Sequence, residues 1–212
     1  MEDKDFRQGF GCSFLESLLC DLGERPVGSA RIDRSEIEAR IAALEVAHRH
    51  ELPPSTSPDV HHYTATLIVA YRALVAAGID DPLGRIGRAQ AEATAVMGEK
   101  VRAALDQADD PLKTMRHYSK ERERTYFGDA FTFERPRDDE GGYHLEVTAC
   151  AYVRLCAAEG VPELGPVLCA FDTAWMDAIE PARHGLVILR PTTLARDGER
   201  CRFWFQRTPV SK

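Results

Sequence analysis

The hydrophobic period of this chain changes part-way along it, and that change limits the fold more than any other feature. Up to about residue 125, apolar residues recur every third or fourth position; beyond Gly128 they begin to alternate. A period near 3.6 buries one face of a helix and a period of two buries one face of a strand, so the sequence predicts helices first and sheet afterwards. Phe10, Phe14, Leu15, Leu18 and Leu19 keep helical spacing ahead of a stop at Gly23. Asp33 with Glu36 has the form of a capping box opening a second helix, with Ile37, Ile41 and Leu44 on one face. That helix must end before Pro53-Pro54. Ser57-Pro58 caps a third, whose stripe is Val60, Thr64, Leu67, Tyr71 and Leu74 and whose stop is Gly78. One or two further helices fill residues 82–126, divided near Asp109-Asp110-Pro111.

After Gly128, residues 130–134 read as a strand, Gly141-Gly142 as a turn, and residues 143–148 as a second strand. In the latter, Tyr143, Leu145 and Val147 face one way, while His144, Glu146 and Thr148 face the other, which is expected to be solvated. Residues 151–159 are helical and stop at Gly160; Pro162 opens another helix to about residue 179. Residues 186–190 and Cys201–Arg207 form a second hairpin, with Asp197-Gly198 in its connection. The expected class is α+β: a helical part over residues 1–125, then a four-stranded antiparallel sheet of two hairpins covered on one face by helices, all within a single domain of 212 residues.

Composition sets aside several function classes. The formal net charge of −7, with no run of Lys and Arg, repels phosphate backbones and anionic lipid, so nucleic acid is not an expected partner. The acidic, polar start MEDKDFRQGF lacks the apolar core of a secretory signal, and no apolar run approaches a membrane span. A cytoplasmic protein is expected, with its six cysteines as free thiols. None of them forms a C-x-x-C pair, and no metal is called for. The phosphate loop, the dinucleotide-binding glycines, the G-x-S-x-G elbow and the H-E-x-x-H helix are missing.

Chemistry is expected where polar residues interrupt the C-terminal core. Leu164, Leu168, Phe171 and Trp175 form the apolar stripe of the helix after Pro162. Cys169 and Asp172 lie three residues apart on the neighbouring face. A carboxylate beside a buried stripe is costly unless it is hydrogen-bonded or its pKa rises, and a raised pKa suits a general acid or base. Cys169 then serves as nucleophile, substrate contact or filling. Asp172 is equally able to pair with Arg190. His61-His62 is conspicuous, but adjacent helical residues do not face each other.

These residues form an ordered pattern. Cys150 ends a strand; Gly160-Val161-Pro162-Glu163-Leu164 follows; Cys169 and Asp172 give C-x-x-D. Arg190, Thr193, Leu194 and Ala195 give R-x-x-T-L-A, and Gly198 precedes Cys201-Arg202-Phe203. Across roughly residues 126–207 this resembles the L-2-amino-thiazoline-4-carboxylate hydrolase family. The resemblance implies a cofactor-independent enzyme that opens a cyclic C=N compound with water, its named substrate being a cysteine-derived thiazoline acid opened to an N-carbamoyl amino acid. It implies catalytic roles for Asp172 and Cys169, and substrate contacts from Arg190, Cys150, Cys201, Thr193 and Trp175. A lyase or cyclase of bacterial natural-product assembly is the first alternative, supported by a composition rich in Ala, Arg and Gly. A small-ligand-binding module similar to the vinyl-reductase and TRAPP types is the second. A small-molecule substrate and a homodimer complete the expectations.

Overall fold

The computed structural model describes residue 10 and residues 13–20, 34–196 and 198–208. Cys12, Gly23, Asp33 and Asp197 lie outside the described residues, so the expectations placed on them do too. A helical stretch at residues 13–20 (α1) precedes α2 (Arg34–Ala47), α3 (Asp59–Ala76), α4 (Pro82–Asp106) and α5 (Pro111–Arg122). There follow β1 (Thr132–Asp138), β2 (Gly142–Ala149), α6 (Ala151–Ala158), α7 (Gly165–Cys169), α8 (Phe171–Met176), α9 (Pro181–His184), β3 (Leu186–Leu189) and β4 (Cys201–Arg207).

The helix starts are locally encoded. Asp110 accepts a hydrogen bond from the Lys113 amide at 3.1 Å, with Pro111 at the first helical position of α5. Asp81 does the same for Gly84 at 3.1 Å ahead of Pro82. At α3, Ser57 Oγ accepts from the Asp59 amide at 3.3 Å, so the helix begins one residue later than its Ser-Pro signal implies. Gly78 and Gly160 close α3 and α6 with φ of +66° and +68°.

Helix α3 is more deeply placed than its five-residue stripe suggests. Twelve of its residues are buried, including Ala65, Ile68, Val69 and Ala70 on other faces. A helix apolar nearly all round belongs inside a helical layer, and here α1, α2, α4 and α6 surround it. Thr64 and Thr66 remain satisfied there by donating to the carbonyls of Val60 and His62, four residues back, at 2.8 and 2.7 Å.

The sheet has the order β1-β2-β4-β3 with every pair antiparallel, so the two expected hairpins join through β2 and β4. The first strand begins two residues later than expected and runs on to Asp138, because residues 128–130 form a 3₁₀ turn instead. Tyr143, Leu145 and Phe205 face the helices and pack with Leu105, Leu112, Ile179 and Leu186. On the opposite face, Glu146 is buried rather than solvated: Arg200 and Arg202 donate to it at 2.6 and 3.2 Å. His144 stacks on Trp204 at 5.1 Å. His61 is buried on α3, while His62 meets Glu45 at 2.9 Å.

A third cluster ties sheet to helices: Val60, Tyr126, Phe131, Val147, Cys150 and Cys201. Tyr126 reaches it because α5 ends in a π turn, Glu123–Phe127, followed by Gly128 at φ +51°. The Ser57 amide donates to the Tyr126 carbonyl at 2.8 Å, and Thr56 Oγ1 donates to that of Phe127 at 2.9 Å. A Cβ at Gly128 would lie 2.3 Å from the Ser55 carbonyl oxygen, so only glycine fits this close approach. Among the described residues, no helix is long and apolar enough to cross a membrane.

Candidate functional site

The expected helix from Pro162 is not continuous. It comprises a 3₁₀ turn (Pro162–Leu164), α7 and α8, with the break at Ala170. Leu164 and Leu168 are buried in the helical layer with Phe171 packed against it, whereas Trp175 packs against the sheet-side cluster, so the stripe is divided between two cores. Cys169 and Asp172 therefore flank a discontinuity rather than share one helical face.

Both still meet Arg190, the residue after β3. Its Nη1 donates to the Cys169 carbonyl at 2.8 Å, and its Nη2 lies 3.1 Å from Asp172 Oδ2. The guanidinium stacks on Phe203, 4.7 Å from the ring centre. Trp175 Nε1 donates to Asp172 Oδ1 at 3.0 Å. The indole thus takes the oxygen that a fork-on-fork pair would give to the guanidinium, and Arg190 Nε is buried with no protein partner. Trp175 itself stacks on Phe203 and Phe205 at 6.3 and 6.1 Å, which fixes the indole against the sheet.

Burial pushes the Asp172 carboxyl above its ordinary pKa, outweighing the charge of Arg190 and the bond from Trp175. Its side chain keeps 27% exposure, so it can exchange protons with solvent. The Cys169 thiol is pushed up to about 11 by burial, against the opposing pull of Arg190. Cys150 is pushed up to about 12, also by burial, with smaller contributions from Cys169 and Cys201, so the three sulfurs share one region. Cys201 Sγ accepts from the Leu194 amide at 3.2 Å. All three are free thiols, as are Cys20 and Cys156. The Thr193 carbonyl accepts from the amides of Arg196 and Gly198 at 3.1 and 3.0 Å and shapes the β3–β4 connection, while its hydroxyl is buried without a protein partner.

The sequence reading missed the aromatic wall. Tyr63 of α3 packs edge-on to Phe171 at 5.3 Å and to Tyr152 at 5.4 Å. Tyr152 also packs edge-on to Phe131 at 5.1 Å. Tyr63 was legible in principle: a tyrosine on a helix buried all round needs a partner for its hydroxyl. Another carboxylate, the buried Glu123, is occupied otherwise. Tyr143 donates to it at 2.6 Å, Ser119 at 3.2 Å, and Arg135 pairs with it closely. An open groove of about 620 Å³ lies elsewhere, beside Lys113, Arg116 and the β1–β2 turn. Among the described residues, no group of three or more His, Cys, Asp or Glu could hold a metal ion.

The sequence model of one family, L-2-amino-thiazoline-4-carboxylic acid hydrolase, matches residues 60–205. The chain belongs to that family. The match begins at the start of α3 and ends in β4, so the hydrolase-family region takes in Tyr63 and Gln90 as well as the motifs of residues 126–207. No curated protein and no solved structure matches the chain.

Proposed function

We propose that the protein is a hydrolase of small cyclic C=N compounds, with Asp172 as its acid–base group. The observation that carries this is the half-filled edge of Arg190. Nη2 holds Asp172 while Nε is buried and unpartnered beside it. A buried donor without an acceptor is costly, and an anionic group of a ligand would satisfy it. A carboxylate held there would place its ring near Asp172 and Cys169, against Phe203 and Trp175.

Asp172, as the carboxylate, takes a proton from water as the oxygen adds to the C=N carbon and passes it to the ring nitrogen, which gives a neutral tetrahedral adduct. On collapse it takes the adduct's hydroxyl proton as the C=O bond forms and passes that proton to the ring heteroatom as it leaves. For a 2-amino-thiazoline acid, an N-carbamoyl product requires the ring sulfur to leave. Cys169 lines the site as a protonated thiol. The aromatic wall of Tyr63, Phe171 and Tyr152 limits water beyond the reacting one. Incubation with L-2-amino-thiazoline-4-carboxylate, followed by mass spectrometry, should show a product heavier by one water that carries a thiol reactive to a disulfide reagent. Unchanged substrate at high enzyme concentration would exclude that compound as the substrate.

A further inference from the structure

We infer that Tyr63, Gln90 and Arg190 act as positioning residues, gripping the last three carbonyls of α7 so that the helix breaks at Ala170 and Asp172 is presented to the site. The final carbonyls of any helix lack intrahelical donors and take whatever partner is offered. Here each has a side-chain donor, the Val167 carbonyl in addition to the Ala170 amide at 3.0 Å. Gln90 Nε2, from α4, donates to Val167 at 2.9 Å. The Tyr63 hydroxyl, from α3, lies 2.9 Å from the Leu168 carbonyl and 3.0 Å from Gln90 Oε1, so its one proton is shared between them. Arg190 Nη1, after β3, donates to Cys169 at 2.8 Å.

Consecutive helical carbonyls point roughly 100° apart around the axis, so three donors must arrive from three directions. They do, from three separate elements. Both Tyr63 and Gln90 are almost fully buried, at 3% and 1% exposure, where a hydrogen bond is not exchanged for one to water. To pass uninterrupted through Ala170, α7 would have to give the Cys169 carbonyl to the Thr173 amide. Instead the Thr173 amide turns back to Ala170 at 3.0 Å, and α8 starts afresh. Because Arg190 serves both the Cys169 carbonyl and the Asp172 carboxylate, the grip on α7 and the position of the acid–base group are one structure. The effect on turnover rests on the hydrolase reading above; the positioning does not.

The test compares Tyr63→Phe and Gln90→Met with wild type, and with Tyr71→Phe, which removes a hydroxyl bond to Glu163 at the edge of the same α3 helix. The Asp172 carboxyl is followed by ¹³C NMR in aspartate-labelled protein, its resonance assigned by its loss in Asp172→Asn. In Tyr63→Phe and Gln90→Met its titration midpoint should move by about half a unit or more, while Tyr71→Phe leaves it in place. On L-2-amino-thiazoline-4-carboxylate, kcat should fall ~10-fold with KM within about twofold, since binding groups are untouched. Titrations that superimpose on wild type in both site variants, with only a lowered melting temperature, would overturn the inference. If wild type leaves the compound unchanged, the titration still decides the positioning, and only the assigned substrate fails.

Discussion

Burial raises both Asp172 and Cys169, but from ordinary values far apart, 3.8 and 9.0. Burial raises the Asp172 carboxyl above its ordinary value, and the charge of Arg190 and the bond from Trp175 oppose that shift. The activity should therefore have an acid limb above the ordinary carboxylate value of 3.8: the rate is retained above the raised pKa and lost as pH falls through it. The Cys169 thiol, pushed up to about 11, is ionised in roughly one molecule in 10⁴ at pH 7. On the proposed reading such a thiol lines the site rather than attacking the substrate. Cys169→Ser should lower kcat/KM by ~10-fold or less, read by steady-state kinetics, whereas a covalent nucleophile would lose nearly all turnover. Arg190 binds both residues, so Arg190→Lys, which cannot reproduce the planar fork, is not a conservative change here.

At the scale of elements, the parts legible in the sequence are those with local causes. Helix starts at Asp81-Pro82 and Asp110-Pro111, the stops at Gly78 and Gly160, and both hairpins follow from neighbours within a few residues. The break at Ala170 does not. It is made by Tyr63, Gln90 and Arg190, which lie far away along the chain, and no period in residues 162–179 signals it. The π turn after α5 has the same character, since residues 55–57 hold it from another element. A further joint crosses elements at His48, whose ring meets Glu159 of the α6 terminus at 2.5 Å and Glu51 at 2.8 Å. Burial lowers the His48 pKa, but the two carboxylates more than offset it and leave it above 6.5. A pKa raised on folding stabilises while the group is protonated: the contribution is complete below pH 6.5 and is lost as pH rises through the folded value. Urea denaturation of wild type and His48→Gln should accordingly show a stability difference that shrinks between pH 6 and pH 9. A constant or growing difference would contradict the pairing.

On the whole-molecule scale, the helical layer and the sheet converge on one cluster, and the family region from residue 60 to residue 205 spans the elements that build it. The α+β class and the four-stranded antiparallel sheet were readable from the change of period near Gly128. The pairing of Asp172 with Arg190 was readable as a possibility from the C-terminal residues. The N-terminal wall of the site was not, because Tyr63 looks like ordinary helix filling until the fold brings Phe171 and Tyr152 against it. On the proposed reading, the fold places Asp172 for proton transfer. Asp172→Asn tests it most directly, with turnover of L-2-amino-thiazoline-4-carboxylate and melting temperature measured on the same sample. The expected result is a folded protein whose turnover per molecule falls by ~10²-fold or more. Turnover per folded molecule equal to that of wild type, with only the melting temperature lowered, would contradict it and leave Asp172 as the structural partner of Arg190.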